Sequence, residues 1–551
     1  METGEGSDLW WKNAVIYCVD VETYRDGNGD GIGDFAGLAE SVGYLSGLGI
    51  TTLWLMPFFA SPNRDNGYDI SDFYAVDPRL GTMGDLVELL RAARERGIRV
   101  IADLVINHTS IDHPWFVAAR SSRKSPYRDY YVWADEAPPD AEEGVIFPGV
   151  QHTTWTYDRE AGQYYMHRFH RHQPDLNINN RAVREEIERI IGFWMELGLS
   201  GFRVDAVPFL IEQTREAEAA VGDPHDYLRQ IRAFMSRRRG DAILLAEANE
   251  PPDKLAAFFG DQFGDQMHML FNFIGNQALY LSLVRRDARP LARAMRSLPP
   301  HPSAAQWANF VRNHDELSLD KLTGAQRDEV WAAYAPDPEM RIYERGIRRR
   351  LPPMLDGDRR QIELMYSLAF SLPGTPVLFY GEEIGMGDDQ SLPERDAVRT
   401  AMQWSGRPGG GFSTAPREAM VRPPIDEGPF SYERVNVEDQ QRDPRSLLNW
   451  FEQLIRLRIN WPEIGFGAWE ILPTGRRGVF AHVCRWREGA VVAVHNFGGR
   501  RAKVSLEVPT DDPLGWRHLF GPTALPHPGP SSIELTLPAY GYAWFGARRR
   551  R

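Results

Sequence analysis

The stretch Gly201-Phe-Arg-Val-Asp-Ala206 decides the reading of this chain. Its apolar, β-prone start reads as a buried strand over 201–207, and it delivers an acid, Asp205, at the strand's end. Residues at i and i+2 of a strand point to the same side, so Arg203 lies beside Asp205 and favours its ionised form. Working outward, further apolar runs read as strands: Ala14–Val19, Thr51–Met56, Arg99–Ile106, Ile243–Ala246, Trp307–Arg312 and Val377–Tyr380. Between them lie helix-period segments such as Gly84–Glu95 and Arg181–Leu197, the latter with Ile187, Ile190, Ile191 and Trp194 on one stripe. Strand–helix alternation implies an α/β protein with a parallel sheet. Seven strands are visible and an eighth is expected, which favours a closed (β/α)8 TIM barrel over a doubly wound open sheet. Candidate reactive residues recur after several different strands, where barrels keep their active sites.

The alternation is interrupted and then stops. The aromatic, polar stretch His108–Asn180 is too long for an ordinary connection, and we read 108–179 as an inserted domain over the barrel mouth. The catalytic barrel then comprises 1–107 and 180–462. After Trp461-Pro462 the pattern becomes alternating strands with Pro and Gly turns, including Phe480–Trp486, Ala490–Asn496 and Lys503–Val508. A C-terminal antiparallel β-sandwich over 463–551 is expected.

Composition bounds the function. With 551 residues the chain can bury a large core plus satellite domains. A net charge of −13 argues against nucleic acid and anionic membrane surfaces as partners. The two cysteines, Cys18 and Cys484, give no disulfide framework. The N-terminal residues lack a signal-peptide pattern, and no apolar run reaches spanning length. A cytoplasmic protein is expected, and a homo-oligomer is compatible with the sequence.

Three acids follow three strand signals: Asp205, Glu247 after Ile243–Ala246, and Asp315 after Phe310-Val-Arg-Asn-His314. At one face of a parallel barrel they can converge. Retaining glycoside hydrolysis needs two carboxyls about 5–5.5 Å apart, one of which attacks the sugar. Asp205 is assigned as nucleophile. Glu247, with apolar neighbours on its N-terminal side, is assigned as general acid. Asp315 binds substrate hydroxyls and stabilises the transition state.

The strings Asp103-Leu-Val-Ile-Asn-His108, Gly201-Phe-Arg-Val-Asp-Ala206, Ala246-Glu-Ala-Asn249 and Val311-Arg-Asn-His-Asp315 resemble, in order, the four core regions of the α-amylase family, glycoside hydrolase family thirteen. Gln173-Pro-Asp-Leu-Asn177 is similar to its fifth region in the form found in α-glucosidases. The resemblance implies the same three catalytic acids, and sugar binding by His108, His314, Arg203 and Gln173. Asp65 and Tyr68, in Arg64-Asp-Asn-Gly-Tyr-Asp69, match residues of the reacting subsite. Arg399, in Arg399-Thr-Ala-Met-Gln-Trp404, matches the arginine that pairs with this aspartate. Such a pair closing the pocket implies exo action on short α-glucosides. Ile347-Arg-Arg-Arg-Leu-Pro-Pro-Met-Leu355 and Gly381-Glu-Glu-Ile-Gly-Met-Gly387 resemble the subgroup that interconverts maltose and trehalose through a glucosyl-enzyme. An exo-α-glucosidase or transglucosidase is the alternative, and a catalytically inactive sugar-binding protein is the reading from another class.

Two structural ion sites, for Ca2+ or Mg2+, are expected. Asp26, Asn28, Asp30 and Asp34 stand at positions 1, 3, 5 and 9 of a calcium-type loop, with the Ile32 carbonyl at position 7. Gly37 replaces the terminal Glu, so the loop is not an EF-hand. By resemblance, a second site uses Asn107, Asp175 and Glu212 with the carbonyls of Phe209 and Leu210. No organic cofactor is expected.

Overall fold

The structure, a computed structural model, describes residues 9–216, 223–510, 512, 515–522 and 531–548. Eight parallel strands close into a barrel: β1 (Ile16–Val19), β2 (Thr52–Leu55), β3 (Arg99–Leu104), β4 (Gly201–Val204), β5 (Ile243–Ala246), β6 (Met269–Phe271), β7 (Gln306–Phe310) and β8 (Thr375–Phe379). Each pairs with its sequence neighbour, and β8 returns to β1 through Ile16↔Val377. Strands covered on both faces must be apolar throughout, which is why β1, β2, β5 and β8 read as unbroken buried runs. β6 has only three residues between His268 and Asn272, too short to stand out as a run.

Helices cover the barrel where the local sequence starts and stops them. In α1 (Phe35–Leu48) the Asp34 carboxylate accepts the Gly37 N–H, and Gly49 ends the helix at φ 97°. In α2 (Met83–Glu95) Thr82 and Asp85 form a reciprocal capping box. Asn180 caps α3 (Arg181–Leu197), which buries Val183, Ile187, Ile190, Ile191 and Trp194 against the sheet. Burying each such side chain contributes about 1.5–3 kcal/mol.

The excursion after β3 carries a helix, Pro114–Ser121, and a three-stranded antiparallel sheet of Trp133–Ala134, Gln163–Met166 and Trp155–Asp158. A second excursion follows β7, where Leu317–Ser318, Gly346–Ile347 and Arg341–Ile342 pair antiparallel. Its turn residues Tyr343 and Glu344 both have positive φ, 53° and 56°. Arg345 Nη1 donates to the Ile146 carbonyl at 2.8 Å, joining the two excursions above the barrel mouth.

The C-terminal unit is a five-stranded antiparallel sheet in the order Ala468–Ile471, Val479–Trp486, Gly489–Asn496, Tyr542–Arg548, Arg517–Phe520. Ala502–Glu507 and Ser532–Leu537 form a separate pair over a second apolar core. The unit docks on the barrel through Trp544 Nε1 and His495, which both bond Ser367 Oγ, at 2.9 Å each. Cys18 and Cys484 are buried free thiols. Among the described residues no helix is long and apolar enough to cross a membrane.

Candidate active site

Strand register builds the site from the floor upward. Asp103 on β3 is the register partner of Arg203 on β4, and Ala246 on β5 is that of Val204. Asp205 and Glu247 therefore leave adjacent strands side by side. Arg203 joins all three acids. Its Nη1 donates to Asp103 at 2.6 Å and to Asp205 at 2.5 Å, and its Nη2 donates to Glu247 at 2.7 Å. Directly after Asp205 the chain turns sharply through Ala206, at φ 51°. This left-handed residue aims its N–H at Glu247 Oε2, 3.4 Å away.

Asp315 stands opposite, beyond β7. His314 Nε2 lies 3.1 Å from its Oδ2, while Arg395 and Arg399 reach its Oδ1 at 2.8 and 3.1 Å. Arg395 also bonds Asp65 at 3.1 Å, and Gln173 donates to the same carboxylate at 2.9 Å. Tyr68 lies parallel to the His314 ring and bonds its Nε2 at 2.7 Å. His108 Nε2 meets the Tyr68 carbonyl at 3.2 Å.

Asp65, Tyr68, His108, Asp205, Glu247 and Asp315 all line one cavity of about 350 Å³. That is within the size of small-ligand sites, roughly 300–1,000 Å³. Phe147, Phe169, Phe209 and Phe273 supply apolar walls. Arg203 and His314 support the carboxyls from below, both almost wholly enclosed.

Arg399 requires a correction. It does not pair with Asp65; Arg395 does. Arg395 lies inside a short 3-10 segment, Glu394–Val398, and Arg399 directly follows it. Arg399, just past that segment, is fully buried, spends its Nε on the His314 carbonyl at 2.8 Å and pairs with Asp315 at 3.1 Å. Arg395, near the segment's start, spans both acids. The sequence holds two arginines four apart, and nothing in their order says which one bridges. Asp103 as third anion on Arg203, and the rim residues Phe147 and Arg345, were also not singled out by sequence. The register of β3 on β4 is the signal that exposes Asp103.

Electrostatics separate the acids. Burial pushes Asp205 up to about 6, with Arg203 pulling the other way. The expectation that Arg203 holds this carboxyl ionised meets an opposing effect, because desolvation outweighs the guanidinium. Burial pushes Glu247 up to about 7 against Arg203, helped by the negative charge of Asp205. Burial also acts to raise Asp315, but His314, Arg395 and Arg399 outweigh it and hold this carboxyl well below the usual range. Burial lowers the His314 imidazole, with the charge of Asp315 pulling the other way. Asp65 is likewise held low, with Arg395 outweighing burial. His108 is pushed down to about 4 by burial and is neutral. The site thus offers one carboxyl that takes a proton near neutrality beside two fixed anions, Asp315 and Asp65.

The two sets of expected ion ligands differ in how their oxygens are engaged. In the loop Asp26–Asp34 the Asp26 carboxylate accepts N–H groups of Asn28, Gly29 and Gly31 and the Ser413 hydroxyl. Those four bonds fill a carboxylate's usual acceptor sites. Asp30 accepts the Ile32 N–H, and Asp34 accepts those of Gly27, Asn28 and Gly37. The loop is pre-folded by its own amides, which hold these carboxylates together. In the second set, Asn107 Nδ2 donates to Asp175 at 3.2 Å, and its buried Oδ1 has no hydrogen-bond partner among the described residues. Glu212 is reached by Arg168 at 3.5 Å, and Phe209 lines the cavity. Among the described residues no three His, Cys, Asp or Glu side chains gather as a metal-binding group.

Comparison with known proteins agrees with this geometry. Residues 19–334 and 348–465 match the family described as alpha amylase, catalytic domain. A trehalose synthase of Thermus thermophilus is 43% identical over 544 residues, 98% of this chain, which spans 56% of that protein's length. A trehalose synthase/amylase of Mycolicibacterium smegmatis is 41% identical over 552 residues, covering 98% of this chain and 93% of the relative. Among solved structures, the trehalose-6-phosphate hydrolase of Bacillus licheniformis superposes with a TM-score of 0.75 at 26% identity, over 98% of this chain and 100% of the other. An isomaltulose synthase from Klebsiella gives 0.76 at 26% identity, over 98% and 99%. With three carboxyls converging on one pocket at the C-terminal mouth of a closed parallel barrel, the chain belongs to the α-amylase family of glycoside hydrolases.

Proposed function

We propose that this chain is a retaining α-glucosyl enzyme that interconverts maltose and trehalose within a closed-ended pocket. The observation that carries the reading is the pairing of Asp205 and Glu247 on one guanidinium, opposite an Asp315 whose partner Arg395 also grips Asp65. The non-reducing glucosyl unit docks against Asp65 and Arg395, which leave no room for a longer chain at that end. Asp205 Oδ attacks the anomeric carbon while Glu247 gives its proton to the departing glycosidic oxygen, forming a β-glucosyl ester and free glucose. Glu247, now ionised, then removes the proton from the anomeric hydroxyl of that glucose. The oxygen attacks the anomeric carbon of the bound glucosyl unit, the bond from that carbon to Asp205 Oδ breaks to restore the carboxylate, and an α-1,1 linkage forms with net retention. Asp315 stabilises the cationic sugar in both transition states, and Arg203 keeps both reacting carboxyls in place.

Water exclusion decides between isomerisation and hydrolysis. The bond from Arg345 to the Ile146 carbonyl and the ring contact of Phe147 with Tyr343, at 4.7 Å, roof the mouth and favour retention of glucose. Incubation with maltose and identification of products tests the reading. Trehalose as a main product is expected; glucose alone would replace the proposal by a simple exo-α-glucosidase. The same reading places the enzyme in the cytoplasm, where its two buried thiols stay reduced. It also includes a divalent cation with a structural role, held by Asn107, Asp175 and Glu212, for which the unpaired Asn107 oxygen is the support.

A further inference from the structure

The closed end of the pocket is made by two loops meeting edge to edge, and a residue outside the pocket joins them. Asp65 and Arg395 face the cavity. The next residue of each loop pairs behind them, Asn66 Nδ2 donating to Asp396 Oδ1 at 3.0 Å. Both loops enter the left-handed region at this place, Asn66 at φ 48°, which its residue type tolerates, and Glu394 at φ 41°. A residue such as Glu394 holds that conformation only where its surroundings enforce it.

Arg422 supplies that enforcement. Its Nη1 donates to Asn66 Oδ1 at 3.1 Å and to Asp396 Oδ1 at 3.0 Å. Its Nη2 donates to Asp20 Oδ2 at 3.0 Å and to the Glu22 carboxylate. Asp20 directly follows β1 and caps the short helix Val21–Tyr24. One guanidinium therefore fastens the end of β1, the loop after β2 and the loop after β8. The side chain is only 4% exposed and does not line the cavity.

We propose that Arg422 is a positioning residue that sets the reach of the Asp65–Arg395 bridge, and through it how tightly the terminal glucosyl unit is enclosed. This rests on the reading that the bridge closes the pocket. The fork geometry is essential. Four acceptors on three segments cannot be satisfied by a lysine ammonium, which is a single point charge with three donors.

Removing the charge altogether would leave Asp20, Glu22 and Asp396 without their shared cation and endanger folding, so the test uses milder changes. Asn66→Ala cuts the rung behind the bridge without stranding a charge, and Arg422→Lys keeps the charge without the fork. Arg79→Gln is the control. Arg79 holds Glu22 and Asp77 at 2.5 and 2.6 Å but bonds neither Asn66 nor Asp396. For each full-length variant, kcat and KM on p-nitrophenyl α-glucoside, the share of free glucose formed from maltose, and Tm are measured. A bridge that grips ground state and transition state alike acts on KM. Asn66→Ala and Arg422→Lys are thus expected to raise KM roughly ten-fold, with kcat within about three-fold of wild type. The free-glucose share should rise at least about two-fold as enclosure loosens. Arg79→Gln should lower Tm alone. If both test variants lower Tm but leave KM and the glucose share at wild-type values, Arg422 is a strut and the proposal is overturned. Should Arg422→Lys not fold, Asn66→Ala decides by itself. A wild-type chain with no turnover of either substrate would instead sink the functional reading, and this inference with it.

Discussion

Replacing Arg395 by lysine isolates the contribution of the bridge across the sugar site. Arg395 makes two charge-assisted contacts, to Asp315 at 2.8 Å and to Asp65 at 3.1 Å. A hydrogen bond to a charged group is worth about 1.5–3 kcal/mol. Lysine keeps the charge but reaches only one of the two carboxylates well, so one contact is lost. At 1.36 kcal/mol per decade this corresponds to roughly a ten- to hundred-fold fall in kcat/KM. Arg395→Ala loses both contacts and leaves Asp65 enclosed with Gln173 as its remaining side-chain donor among the described residues. The cost there is about 3–6 kcal/mol, or roughly 10²–10⁴-fold. Initial rates of trehalose formation from maltose give the ratio, and Tm shows that the fold is intact. A lysine variant with wild-type Tm and kcat/KM within a factor of about two would refute the reasoning, because no charged contact of this size is silent.

Other outcomes follow from the same geometry. With Asp205 raised to about 6 and Glu247 to about 7, kcat/KM should climb as pH rises through the first value, where the nucleophile ionises. It should fall as pH passes the second, where the acid loses its proton, so a pH–rate profile with no alkaline fall would contradict the assignment. Glu247→Gln should abolish turnover yet stabilise the fold at high pH. A carboxyl raised in the folded state adds stability below its ordinary value of 4.5 and loses that stability as pH rises through about 7. The Tm difference between variant and wild type should therefore be near zero around pH 4 and largest above pH 7. Dialysis against a chelator is expected to lower Tm while leaving kcat per folded molecule unchanged; a loss of kcat at constant Tm would show that a cation does more than hold the structure.

Much of the fold was legible because barrel strands are buried on both faces and so appear as plain apolar runs. β5 and α3 were read to the residue. β6 was not, since three residues flanked by His268 and Asn272 carry no periodicity. The acids were legible for a related reason: strand ends are sharp in sequence, and Asp205 and Glu247 directly follow one while Asp315 lies in the turn after β7. What sequence could not supply was the choice between chemically equal groups. Arg395 and Arg399 share a loop, and only the turn of Glu394–Val398 decides which faces Asp65. The Asp26–Asp34 spacing likewise specifies oxygen ligands but not which of them the loop's own amides engage, as those of Asn28, Gly29 and Gly31 engage Asp26.

Arg203 acts as a common ruler for the two reacting carboxyls. Because both are gauged from one planar cation, a shift of either strand carries nucleophile and proton donor together instead of prising them apart. Stereochemical outcome is therefore protected against small distortions of the surrounding loops. Changes in those loops can retune which sugar enters and which acceptor stays, while the configuration at the transferred carbon is left untouched.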